Sequence, residues 1–175
     1  MCIRDSYSSS YENGEGLASN DIGTNGVRAE VFSNLFPYTG TGAPVPVIKV
    51  NASGNALNPR QVELSVNSNV VLNQTMDFFD YLKMTAPLTT AMINSGSATI
   101  QVKNNCLSPN DRMVIGKTEL TYARQFNFGA LDAFPFELPA NTSGNYLEIS
   151  GFNHGGISPV LYDFTNGKDV YKRQP

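Results

Sequence analysis

The chain has 175 residues, 41% of them hydrophobic and only 15% charged, with a net charge of −3, one His and no Trp. That length supports a compact domain that buries roughly two-thirds of the surface of its unfolded chain. An acidic, charge-poor chain lacks the basic patch that a phosphate backbone demands, which excludes nucleic acid as a partner, and no apolar run approaches the roughly 18 residues of a membrane-spanning helix.

The ends are read first because they set the domain boundaries. Met1-Cys2-Ile3-Arg4-Asp5-Ser6 and Asp169-Val170-Tyr171-Lys172-Arg173-Gln174 can be encoded by two reading frames of a single nucleotide word. That word resembles the transposase end used in preparing sequencing libraries, so residues 1–6 and 169–175 are expected to be adapter-derived and are set aside for fold reasoning. Tyr7 to Lys168 is then expected to be an internal piece of a longer gene. It stays acidic, and Cys106 is its single cysteine, so no internal disulfide is available. The first residues hold no apolar stretch of a signal peptide, which says nothing about export when the true start lies upstream.

Residues 7–26, rich in Ser, Gly and Asn, read as a flexible lead-in, and 27–168 as one domain. Short apolar segments separated by Gly, Asn, Ser and Pro follow. Val27–Phe32 and Val45–Val50 read as strands. In Gln61–Asn67, Val62, Leu64 and Val66 share one face, and Asn67-Ser68-Asn69 turns the chain into Val70-Val71-Leu72. Phe78–Met84 is assigned as a strand, as is the alternating Ala98–Lys103. Asn104-Asn105 and Ser108-Pro109-Asn110-Asp111 then supply turn chemistry.

The longest segment, Arg112–Tyr122, puts Val114, Gly116, Thr118, Leu120 and Tyr122 on one face, with Gly116 marking a bulge or a close neighbour. Phe134–Leu138, Tyr146–Ser150 and Val160–Phe164 complete the set, the last closed by Asn166-Gly167. The expectation is an all-β fold, a mainly antiparallel, jelly-roll-like sandwich that lacks a strand if the gene is truncated. Val62, Leu64, Val66, Ile100, Val102, Leu120, Tyr122, Leu147, Ile149 and Leu161 should be buried between its sheets, with Phe126, Phe128 and Phe136 filling the core.

Chemistry is sparse. No phosphate-cradling glycine loop, nucleophile elbow or Cys/His pair at metal spacing is present. Cys106 and His154 could form a dyad only by meeting in space, while a lone Cys is usually inert packing and His154 lies in the glycine loop Phe152-Asn153-His154-Gly155-Gly156. Tyr11, Tyr38, Tyr81 and Tyr162 could stack on sugars, whereas Phe78-Phe79 reads as core or hairpin packing. Asp77 and Asp80 would fall on opposite faces of a strand. Asn110 and Asp111 could contribute to calcium capture but read first as a turn. Asn51, Asn73 and Asn141 each begin a glycosylation triplet, a number that chance explains. No catalytic, cofactor-binding or metal-ligating residue is assigned, and no cofactor.

The segments Asp111-Arg112-Met113-Val114, Glu119 to Phe128, Asn145 to Phe152 and Pro159 to Lys168 resemble the β-sandwich region that precedes the catalytic domain of PorU-like proteins. These are gingipain-type cysteine peptidases that serve as the sortase of the type IX secretion system. Ala123 departs from the Pro expected before the Arg, and the family's catalytic Cys and His motif is not in this chain. The resemblance implies a non-catalytic sandwich supporting an adjoining peptidase domain, other secretion components as partners, and a place at the outer surface of a Bacteroidetes-type cell. The rival reading is a cell-surface adhesive or carbohydrate-binding sandwich. Arg124 is expected to pair with a carboxylate at the sandwich edge.

Overall fold

The computed structural model describes residues 18–138, 141–144, 146–165 and 168–170, the last three as backbone. Contacts divide the chain into two units, 1–125 and 126–175.

Among its described residues the first unit contains eight strands: β1 (Ile22–Gly23), β2 (Val27–Ser33), β3 (Val47–Gly54), β4 (Arg60–Val66), β5 (Asn69–Met76), β6 (Tyr81–Pro87), β7 (Ser97–Asn105) and β8 (Arg112–Thr121). They form two antiparallel sheets, ordered β1-β8-β3-β6 and β2-β7-β4-β5. Pairs β4/β5, β3/β6, β2/β7 and β1/β8 are the successive rungs of one long hairpin. Rolling that hairpin adds the β3/β8 and β4/β7 pairs and gives the jelly-roll order. The all-β sandwich read from the sequence is the fold observed.

Its tip is the turn at Asn67 and Ser68, both in the left-handed region at φ 46° and 66°. Two such residues form the tight hairpin turn whose twist matches that of the strands. The Asn67 side chain also accepts from Thr99 N at 2.8 Å and donates to Met92 O at 2.6 Å, tying the tip to β7 and to the short 3-10 turn Thr90–Ile93.

Period-two alternation builds the core. Val62, Leu64 and Val66 of β4 and Ala98, Ile100 and Val102 of β7 are buried with Ile48, Val50 and Ala52 of β3, Met84 and Ala86 of β6, and Met113 and Ile115 of β8. Each of the larger side chains contributes about 1.5–3 kcal/mol of transfer free energy. In β8 the register shifts: Lys117 pairs with Asn51 but Ile115 with Ala52, so Gly116 is the extra residue of a bulge. The bulge reverses the parity of the strand. Met113 and Ile115 point inward before it, whereas Thr118 and Leu120 lie opposite buried Val50 and Ile48 after it. The single face expected for Val114 through Tyr122 is corrected accordingly: Leu120 and Tyr122 pack half-buried on the core, and Val114 faces away from it.

Several boundaries move for physical reasons. β3 starts at Val47, just past Pro46, and runs on to Gly54. β6 starts at Tyr81 because Phe78, at φ 43°, is in a turn. Asn104-Asn105, expected to be a turn, continue β7. Within the stretch read as lead-in, Ser19 N donates to Ile115 O at 2.8 Å and Ile22 is buried in the core. Residues 7–17 lie outside the described residues.

In the second unit, segments 126–131 and 150–153 run side by side. Phe128 N donates to Ser150 O and Ser150 N to Phe126 O, around a parallel bridge between Asn127 and Ser150. Phe128 is buried at the centre of an aromatic cluster, stacked on Phe134 at 4.5 Å and meeting Phe136 and Phe152 at 5.9 and 5.8 Å. Phe126 joins edge-on to Phe136 at 5.4 Å. These rings are a cluster of their own, not the sandwich core.

The strand expected at Phe134–Leu138 does not form, since Pro135 cannot donate to a ladder and the flanking rings pack instead. Tyr146–Ser150 is extended but bridged only at Ser150. Ile149 and Leu161 are exposed and Leu147 half-buried, so alternation there has no sheet to pack against. Among the described residues of this unit, Leu161–Asp163 (β9) pairs with Lys168–Val170 (β10). The turn residues Asn166-Gly167 lie outside the described residues.

Candidate functional site

At the end of the sandwich opposite the Asn67 turn, the β1–β2, β3–β4, β5–β6 and β7–β8 connections gather around one buried ion pair. Arg60 opens β4 on the same parity as Val62, so its side chain points inward. Asp111, two residues before buried Met113, also points inward. The guanidinium donates through Nε and Nη2 to the two carboxylate oxygens, each at 2.7 Å, and neither side chain is exposed. Its other contacts hold loops: Nη1 donates to Phe78 O at 2.9 Å, and Nη2 to Ala56 O at 3.0 Å and Asn58 O at 2.8 Å. Asn104, inward on β7, donates to Asp111 Oδ2 at 2.7 Å and to Ile22 O at 3.2 Å.

Burial raises the Asp111 pKa, but hydrogen bonds from Arg60 and Asn104, the Arg60 charge and a hydrogen bond from Asn58 outweigh it and hold the carboxyl below its ordinary value. A planar fork meeting a carboxylate at two points is the geometry that compensates desolvation best. The Asp111 carboxylate, considered above for calcium, is held at both oxygens by Arg60. Among the described residues no group of three His, Cys, Asp or Glu side chains is placed to hold a metal ion.

The same hub shapes the outside. A Cβ on Gly54 would lie 1.8 Å from Phe78 O and 2.2 Å from Arg60 Nη1, so only glycine lets the β5–β6 turn come this close. That turn holds Phe78 in the left-handed region, which is costly for a bulky residue and persists only when its surroundings determine it. Asp80 N closes on Asp77 O at 2.8 Å, and Gly54 N donates to Asp80 O at 2.9 Å. The result is an apolar rim: Phe78 and Phe79 on the turn, Leu57 on the β3–β4 loop and Leu107 on the β7–β8 loop are all exposed, Leu107 fully. Phe78-Phe79 therefore lies on the turn that carries the chain from one sheet to the other, and is not core.

Cys106 is 2% exposed; its thiol donates to Pro59 O at 3.3 Å and accepts from Ser108 N at 3.4 Å, so it pins loops together. Thr24 Oγ1 adds a bond to Ser108 O. In the second unit, His154 is exposed, with Nδ1 3.0 Å from Ile157 O of its own glycine loop. Tyr38, Tyr81 and Tyr162 are exposed, Tyr81 with Lys83 Nζ 5.5 Å from its ring centroid. Tyr11 lies outside the described residues. Asp77 and Asp80 flank the aromatic turn. Asn110 is exposed, Asn51 is buried in β3, and Asn73 lies exposed on β5. Arg124 donates to Asn34 O at 2.7 Å and Tyr122 Oη at 3.1 Å and lies over the Phe36 ring.

Arg60 and Asn104 were not singled out as site residues from the sequence. The signal was parity: each is two positions from a core residue of its own strand.

No protein-family model matches the chain, and no characterised protein matches it in sequence. Among solved structures it is similar to the sugar-binding EclA C-terminal domain, at 10% identity and TM-score 0.38 over 54% of this chain and 78% of that one. It is similar to dimeric latent PorU from Porphyromonas gingivalis, at 10% identity and TM-score 0.44 over 64% of this chain and 11% of that one. The CBM36-1 domain of a multidomain xylanase from the hindgut metagenome of Trinervitermes trinervoides is similar at 13% identity and TM-score 0.35, over 55% and 74%.

Proposed function

We propose that this chain is a non-catalytic β-sandwich module that supports the peptidase domain of a PorU-like, gingipain-type parent at the outer surface of a Bacteroidetes-type cell, alongside other type IX secretion components. The observation that carries the reading is the apolar rim of Leu57, Phe78, Phe79 and Leu107, held by the buried Arg60–Asp111 pair. Exposed apolar side chains on loops held in place from within suit docking, because pre-set loops lose little entropy on binding. A nucleophile role for Cys106 conflicts with a thiol that is buried and bonded to Pro59 O. The resemblance of the segments from Asp111 to Lys168 supports a peptidase domain as the docked partner.

Sequencing the source gene beyond the Lys168 codon tests this. A reading frame that continues into a domain with a gingipain-type Cys and His motif is expected; an early stop, or a frame without that motif, overturns it. A second reading, a carbohydrate-binding module, is favoured by the exposed Phe79 and Tyr81 rings, two positions apart at the start of β6. Retention of the full chain by a polysaccharide panel, lost in Tyr81→Ala, would bring that reading forward.

A further inference from the structure

The two sheets have four edges, and three of them are protected. β1 is two residues long, β2 carries Arg28 and Glu30, and β6 carries Lys83 and Pro87. Shortness, charge and proline are the devices by which sandwich edges discourage further pairing. β5, Asn69–Met76, has none of them: eight residues, no charge and no proline, with exposed Val70, Asn73 and Thr75. Its one irregularity is the register shift near Val70, which leaves Leu72 to Met76 regularly paired on β4.

An independent feature lies at that regular end. A cleft of about 330 Å³ is lined by Thr75, Gln61 and Asn105, neighbours across β5, β4 and β7, and closed by Pro59, Cys106 and Leu107. Its surface is mostly apolar, and Asn58, Arg60 and Ser108 also line it. In strand addition, main-chain hydrogen bonds give affinity and pockets beside the edge select alternate side chains.

We propose that β5 accepts an extended peptide strand of a partner, and that the cleft beside Thr75 takes one large uncharged apolar side chain of that strand. The absence of charge along the edge selects an uncharged segment, since a carboxylate or ammonium in the cleft would lose solvation without a free counter-charge. This goes beyond the module reading above: Leu107 borders both surfaces, whereas Thr75 and the β5 edge are no part of the rim, so Thr75→Lys tests the strand site alone.

The test uses the full chain and a labelled, capped peptide of alternating Thr and Val with one central Leu, titrated by fluorescence anisotropy. Saturable binding is expected. It should weaken at least about tenfold when the peptide is N-methylated at alternate residues, when its Leu is replaced by Lys, or when the protein carries Thr75→Lys. Leu107→Asp, at a fully exposed position where folding is not at stake, should weaken the Leu peptide and spare a peptide with Ala there. Absence of binding, equal binding of the N-methylated peptide, or an unchanged affinity in both protein variants would overturn the proposal. So would β5-dependent dimerisation of the chain in place of peptide binding.

Discussion

Arg60 and Asp111, 51 residues apart in sequence, meet as a two-point ion pair with both bonds at 2.7 Å and both side chains inaccessible to solvent. Removing either partner strands the other charge in the core. Arg60→Met and Asp111→Leu should each cost about 3–5 kcal/mol, whereas the two together, which replace the pair by apolar residues of similar volume, should cost much less. Urea unfolding of the four proteins gives the coupling; additive losses would show that the pair is not a unit.

The same carboxylate makes the fold acid-sensitive. Burial raises the Asp111 pKa, but the bonds and charge of Arg60, with Asn104 and Asn58, bring it net below its ordinary value. A folded-state pKa below the unfolded one, near 3.9, contributes stability that is complete above about pH 4 and is lost as pH falls through the folded value. Melting temperatures between pH 7 and pH 2 should therefore drop more steeply on the acid side for the parent than for Asp111→Asn, which starts lower. Parallel curves would contradict the assignment.

Gly54 is a spatial requirement. Gly54→Ala should displace the Phe78 carbonyl from Arg60 and destabilise by about 1–3 kcal/mol, the usual range for overpacking. Gly23→Ala is the control, since a Cβ there meets nothing closer than 3.9 Å. Equal stability of the two variants would show that the β5–β6 turn is not held by this contact.

At the other end, Ser68 occupies the left-handed region at φ 66° without being glycine. Ser68→Gly completes the Asn-Gly pair that this turn geometry prefers and should raise stability by about 0.5–1 kcal/mol. A loss would imply that the Ser68 side chain makes a contribution larger than the backbone relief.

Most of the first unit was legible because strand alternation there coincides with two-sided packing: Val62, Leu64, Val66, Ile100 and Val102 are all buried where the pattern put them. The bulge at Gly116 was legible as a possibility, but its consequence, the parity reversal that separates Val114 from Leu120, depends on the partner strand and on nothing local. Beyond Gln125 the same alternation failed. Leu147, Ile149 and Leu161 alternate with polar residues, yet no sheet packs on them, and a pattern cannot supply its own partner. The site was half visible. Asp111 attracted notice as a turn residue and Cys106 as a thiol, whereas the inward parity of Arg60, Asn104 and Asp111 would have announced a buried polar cluster.

The central claim is that the rim held by Arg60 and Asp111 docks a folded domain. Calorimetric titration of the full chain with the gingipain-type peptidase domain proposed as its partner tests it most directly, comparing the parent with the Phe79→Ser, Leu107→Ser double variant. Both positions are exposed, so the fold should survive. The account predicts a saturable heat for the parent and an affinity at least about tenfold weaker for the variant, the loss expected when two apolar anchors leave an interface. Equal affinities, or no heat from the parent, would contradict it.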